Sequence, residues 1–83
     1  MGFQIYRAKE KEWIERCKRQ DSRAQEQLYQ HYAAKLYALC CRYVPTKMEA
    51  EDVLVTAFTK CFERIEQYKG DGSFEGWLRR IVV

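Results

Sequence analysis

Between Thr46 and Gly70 the apolar residues fall on a spacing that only one kind of backbone can bury. Ala50, Val53, Leu54, Ala57, Phe58, Cys61, Phe62 and Ile65 recur with gaps of 3, 1, 3, 1, 3, 1 and 3. At 3.6 residues per turn this lines one face of an α-helix, whereas a strand of period two would scatter it over both faces. Each large member of such a stripe contributes about 1.5–3 kcal/mol when buried. The opposite face reads Glu51, Asp52, Val55, Thr56, Thr59, Lys60 and Glu63, polar except for Val55. Thr46 and Glu49 stand at capping-box spacing just ahead of the stripe. A helix is expected over about residues 47–67.

The rest of the chain reads in the same period. Trp13, Ile14 and Cys17 mark a helix over about 8–20, behind a short apolar lead-in, residues 1–8, expected to dock loosely. Asp21 and Ser22 offer an N-cap, with Gln25 completing a box on Ser22. Ala24, Leu28, Tyr32, Leu36, Leu39, Cys40 and Tyr43 then keep helical register over about 21–44, some 22 residues or roughly 33 Å. Tyr29, His31, Lys35 and Arg42 fall on the wet side of that helix. Pro45 ends it, because its ring cannot donate the next hydrogen bond and biases Val44 away from α. Gly70-Asp71-Gly72 is a break, and Ser73 an N-cap for a fourth helix over about 74–83 with Trp77, Leu78 and Ile81 on its apolar side. The spacing of Trp77 from Phe74 and Ile81 predicts core packing rather than a role in stacking on a base. Nothing near Val83 resembles a cap, so this helix is expected to be truncated and the domain to come from a longer protein. The expected fold class is all-α, a compact bundle of three to four helices in a single domain, 1–83.

At 83 residues the chain can hold one core, and 47% hydrophobic content with 14% aromatics suffices to fill it. The net charge of +3 is confined to residues 7–23, where seven basic side chains face four acidic ones. Residues 24–83 balance eight against eight, which argues against an independent binder of duplex DNA. Cysteines at 17, 40, 41 and 61 form no metal-ligand spacing, and His31 is far from any such set. Cys17, Cys40 and Cys61 fall on apolar helix faces, where free thiols act as small hydrophobes. No signal peptide or long apolar run is present, so a reducing cytoplasm is the expected setting. The sequence has no nucleophile–base pair and no phosphate loop; neither enzyme activity, nor a cofactor, nor a metal is expected.

Three blocks of residues carry a resemblance. The run Ala24–Ala33 resembles the opening of region 2 in the extracytoplasmic-function sigma factors of bacterial RNA polymerase. Ala50-Glu51-Asp52-Val53-Leu54, followed by Phe58 and Phe62, is similar to that family's next block. Tyr68 to Ile81 resembles its loop-and-helix signature. The order and spacing of the three, over residues 12–83, make the match specific.

The resemblance implies a transcription initiation factor domain of the sigma region 2 fold. It implies that the exposed face of the third helix docks on the clamp helices of the polymerase β′ subunit. The matching positions are Asp52, Val55, Thr56, Thr59, Lys60 and Glu63. The family usually has Gln at the position of Val55 and an acid at that of Thr56, so this chain departs from the pattern at both. The resemblance also implies that the loop Lys69, Gly70, Asp71, Gly72 and Ser73 captures a base of the melted −10 element, mainly on the non-template strand. Arg79 and Arg80 would then meet promoter phosphates, Arg80 being the nearer to the helix continuation. An anti-sigma factor is a further implied partner, and the −35-reading domain of the family is expected to be absent from this chain. Two other readings stay open: a helical interaction module that only docks an anti-sigma factor, and a separate duplex-DNA binder.

Overall fold

Four α-helices form among the described residues, and their limits follow from local backbone chemistry. The computed structural model describes residues 2–82, with side chains from Ala8 to Val82. The helices are α1 (Gly2–Cys17), α2 (Ser22–Tyr43), α3 (Lys47–Arg64) and α4 (Phe74–Val82), with one 3₁₀ turn, Ile65–Gln67, extending α3. There is no strand among the described residues.

α1 departs from expectation at both ends. It starts at Gly2 rather than near Ala8, because residues 3–7 contain no breaker and simply continue the helix. The expectation that Met1–Tyr6 dock loosely concerns Met1 and side chains outside the described ones, as does the end of the fourth helix at Val83. α1 stops at Cys17, short of the expected Gln20, which instead takes the left-handed conformation with φ 65°. Around it the Gln20 N–H donates to the Cys17 carbonyl at 2.9 Å and the Asp21 N–H to the Arg16 carbonyl at 3.1 Å. This pair of bonds is the Schellman closure of a helix end.

Asp21 then starts α2, in place of the expected Ser22–Gln25 box. Its carboxylate accepts the N–H of Arg23 at 3.0 Å and of Ala24 at 3.4 Å, and takes the Arg16 guanidinium at 2.8 Å. One carboxylate thus caps α2 and ties it to the last turn of α1. The Arg16 hydrogen bond holds the Asp21 carboxyl below the usual carboxylate range; partial burial opposes it and the two backbone N–H groups assist.

α2 buries Ala24, Leu28, Tyr32, Leu36 and Cys40, one residue per turn, and packs against α1, α3 and α4. Tyr43, the last of its expected apolar positions and the last residue of the helix, is 62% exposed. Val44 is extended before Pro45, as the ring requires. Thr46 caps α3, its hydroxyl accepting the Glu49 N–H at 3.1 Å. The stripe on α3 is buried at Ala50, Leu54, Ala57, Phe58 and Cys61, with Val53 and Phe62 half-buried at its edges. Ile65 stays in the core although the backbone there has tightened to 3₁₀.

The core combines large side chains such as Phe74, Leu28, Leu36 and Leu78 with buried cysteines. Cys17, Cys40 and Cys61 are fully buried free thiols, and only Cys41 is exposed. Burial pushes the Cys17 thiol up to about 11 and that of Cys61 to about 12, with Cys17 adding to the latter effect. No described helix is long and apolar enough to cross a membrane.

Two expectations follow. A thiol reagent added to the folded chain near pH 8 should label Cys41 promptly and reach the other three only on unfolding. Prompt labelling of a second thiol would contradict the packing. For Asp21 the folded carboxyl titrates below the unfolded value of about 3.9, so its contribution is present above that pH and lost as pH falls through the folded value. Asp21→Asn keeps a capping acceptor without the charge. In urea melts, the stability gap between the two chains should be constant above about pH 5 and close below about pH 4.

Candidate functional site: a helix face and a loop over a cavity

Asp52, Val55, Thr56, Thr59, Lys60 and Glu63 are all exposed on α3. They lie in two adjacent rows at four-residue spacing, Asp52-Thr56-Lys60 and Val55-Thr59-Glu63. The first row borders a groove of about 300 Å³ shared with Val53, Ala57, Ile81 and Val82, where α4 lies against α3. In the second row Val55 is 58% exposed, an apolar patch with charged and hydroxyl neighbours. The Thr59 hydroxyl donates back to the Val55 carbonyl at 2.9 Å, so it is partly spent on its own helix. Val55 and Thr56, where the sequence was read as departing from the family pattern, both reach solvent.

The second surface lies at the start of α4. Gly70 and Gly72 have φ of 85° and 82°, a region that L side chains rarely adopt. A Cβ built on either would meet nothing within 4 Å, so torsion and not crowding demands glycine there. The loop is pinned from both sides. The Tyr68 hydroxyl donates to the Gly72 carbonyl at 2.8 Å. Ser73 caps α4, its Oγ accepting the Gly76 N–H at 3.0 Å.

Beneath the loop runs a chain of rings. Tyr68, Phe74 and Trp77 sit mutually 5.4–5.6 Å apart, Phe74 meets Tyr32 at 5.8 Å, and Tyr32 meets His31 at 4.7 Å, which meets Trp13 at 5.6 Å. Trp77 is therefore half-buried core, in accord with its spacing. Tyr68 both packs in this cluster and braces the loop.

The loop overhangs a cavity of about 460 Å³ whose lining includes Lys69, Gly70, Gly72 and Ser73 together with Tyr68 and Phe74. Asp71, Arg79 and Arg80 are exposed but do not line it. Arg79 pairs with Glu75 at 3.3 Å, and Lys35 of α2 reaches the same carboxylate at 3.4 Å. Arg80 makes no ion pair among the described residues. The far wall of the cavity comes from α1: Glu10, Lys11, Ile14, Glu15 and Lys18. Sequence reasoning took Ile14 for core and did not single out the other four. Their spacing places them on one face of α1, but nothing local shows that this face meets a loop more than fifty residues onward.

An all-α domain with two separate surfaces, one a helix face and one a loop-covered cavity, is the class this architecture defines. A family model of sigma-70 region 2 matches residues 28–83. The RNA polymerase sigma-H factor of Pseudomonas aeruginosa is 37% identical over 70 residues, which are 84% of this chain and 36% of that protein. The ECF RNA polymerase sigma-E factors of Escherichia coli and Salmonella typhimurium are 36% and 34% identical over the same shares. This chain belongs to the sigma-70 region 2 family. It spans about a third of the length of these relatives.

The brace from Tyr68 to Gly72 is an exposed bond, so its loss should cost about 0.5–1.5 kcal/mol, felt locally. Tyr68→Phe is expected to speed hydrogen exchange and proteolysis between Lys69 and Ser73 while leaving the global melting transition nearly unchanged. Unaltered protection of the loop would show that the ring alone holds it.

Proposed function

We propose that the domain serves bacterial transcription initiation, binding core RNA polymerase through α3 and holding one melted −10 strand at the Lys69–Ser73 loop. The observation that carries this reading is the loop itself, two left-handed glycines over an open cavity with an aromatic floor, in a sigma-70 region 2 chain. Left-handed glycines keep side chains away and let the backbone approach a ligand closely. An extruded base costs a few kcal/mol of lost stacking, which a preformed pocket can repay without reorganising. Lys69 sits where it can meet a phosphate of the same strand.

Arg80 reaches the neighbouring strand in this reading. Arg79, tied to Glu75, is the lesser contributor. On α3 the contact with the β′ clamp helices centres on Val55, whose exposed methyl groups add apolar area where the family uses polar bonds. Asp52, Thr56, Lys60, Thr59 and Glu63 form the rim. An anti-sigma factor enters as a competitor for the α3 face, in the cytoplasm where polymerase works. The near balance of charge over residues 24–83 fits a strand delivered by polymerase better than unaided capture of duplex DNA.

A pull-down of the chain on immobilised β′ clamp helices tests the central part. Binding is expected, and Val55→Asp should weaken it by roughly five- to tenfold, about 1–1.4 kcal/mol. Because Val55 is exposed, the variant should melt like the parent. Absence of any clamp binding by the parent chain would refute the proposal.

A further inference from the structure

The α1 wall of the cavity has no part in the function proposed above. Ile14 and Phe74 reach the cavity from the core, and three lysines, Lys11, Lys18 and Lys69, face two glutamates, Glu10 and Glu15, around it. Its volume of about 460 Å³ lies within the range of small-ligand pockets, about 300–1,000 Å³. The two glutamates are not equivalent. Glu15 pairs with Lys18 at 3.5 Å, so its charge is offset in place. Glu10 makes no ion pair among the described residues; its Oε2 accepts the hydroxyl of Tyr32. Tyr32 is itself buried between the rings of Phe74 and His31. Glu10 is thus an acceptor anchored to the core at the edge of an open cavity.

We infer that α1 is the second half of the strand-holding site and that Glu10 determines which base enters it: one bearing an exocyclic amino group, in preference to thymine. The inference rests on the reading that the loop holds an extruded base. A carboxylate accepts hydrogen bonds and donates none. Adenine, cytosine and guanine each present an amino donor, while the one donor of thymine, its N3–H, lies between two carbonyl oxygens that a carboxylate repels. Lys11 and Lys69, unpaired among the described residues, meet the flanking phosphates and keep the site from repelling the strand. Glu10 is a specificity residue here, and Lys11 contributes affinity regardless of base.

The test uses the full chain bound to core RNA polymerase and short fluorescent single strands. The probes are all-thymine, or thymine with one central adenine, cytosine or purine; purine is adenine without its amino group. Adenine and cytosine should tighten binding roughly tenfold over all-thymine, the worth of one hydrogen bond to a charged group, and purine should not. Glu10→Gln can still accept from Tyr32 and should shrink the adenine-to-purine ratio towards one. Lys11→Met should weaken every probe alike and leave the ratio intact. Equal binding of adenine and purine probes by the unaltered chain overturns the inference, whether or not Glu10→Gln folds. Failure of every probe to bind overturns the strand-holding proposal beneath it, and the inference with it.

Discussion

Tyr32 is the point on which three helices depend. Its ring is buried on the central stripe of α2, its hydroxyl donates to Glu10 of α1, and its face meets Phe74 at the first turn of α4. Burial and the Glu10 carboxylate together raise its phenol well above the ordinary range, so it stays a donor at any working pH. A helix of this length has few ways to fix the rotation of its neighbours, because ridge-and-groove packing alone tolerates broad scatter in angle. A directional bond on one side and a ring contact on the other reduce that freedom. Both residues that Tyr32 contacts, Glu10 of α1 and Phe74 of α4, line the cavity.

The two surfaces of the domain are separated by the same core. The α3 rows carrying Val55 and Lys60 face away from the ring cluster, while the Gly70–Gly72 loop rests directly on it. Tyr29 packs on Phe58 and Phe58 on Phe62, a second set of rings on the α3 side. Each surface therefore has its own aromatic support. In a protein of this size, changes on one face can leave the other undisturbed when they touch only exposed groups.

Much of this was visible in the sequence, for identifiable reasons. The α3 stripe, the Thr46 cap, the Pro45 stop and the Ser73 cap depend on residues within one turn of each other, and local pattern captures such features. The exposure of all six α3 positions followed from the same period. The errors lie where alternatives were close in energy or contacts were distant. Asp21 and Ser22 are both good caps; Asp21, one of the two expected, takes the role and also pairs with Arg16, while the Ser22–Gln25 box does not form. Gln20 gives no sign of a left-handed residue that a glycine would have advertised. The α1 start was misplaced because a short apolar stretch was read as a loose lead-in, although the helix continues through it. The α1 wall of the cavity was invisible, since Glu10, Lys11 and Lys18 look like an ordinary solvated face until the loop is brought against them.

The glycine loop has a consequence for variation. Its shape is written in two backbone torsions, with open space around both α-carbons. The residues between and beside them, Lys69 and Asp71, are exposed and contribute little to holding that shape. Side chains at these places can therefore be exchanged without unmaking the fold, while the ring cluster below and the cap at Ser73 keep the frame. A lineage could retune what the loop prefers by substituting a few solvent-facing positions. The scaffold would transmit none of the cost to the helix face on the other side.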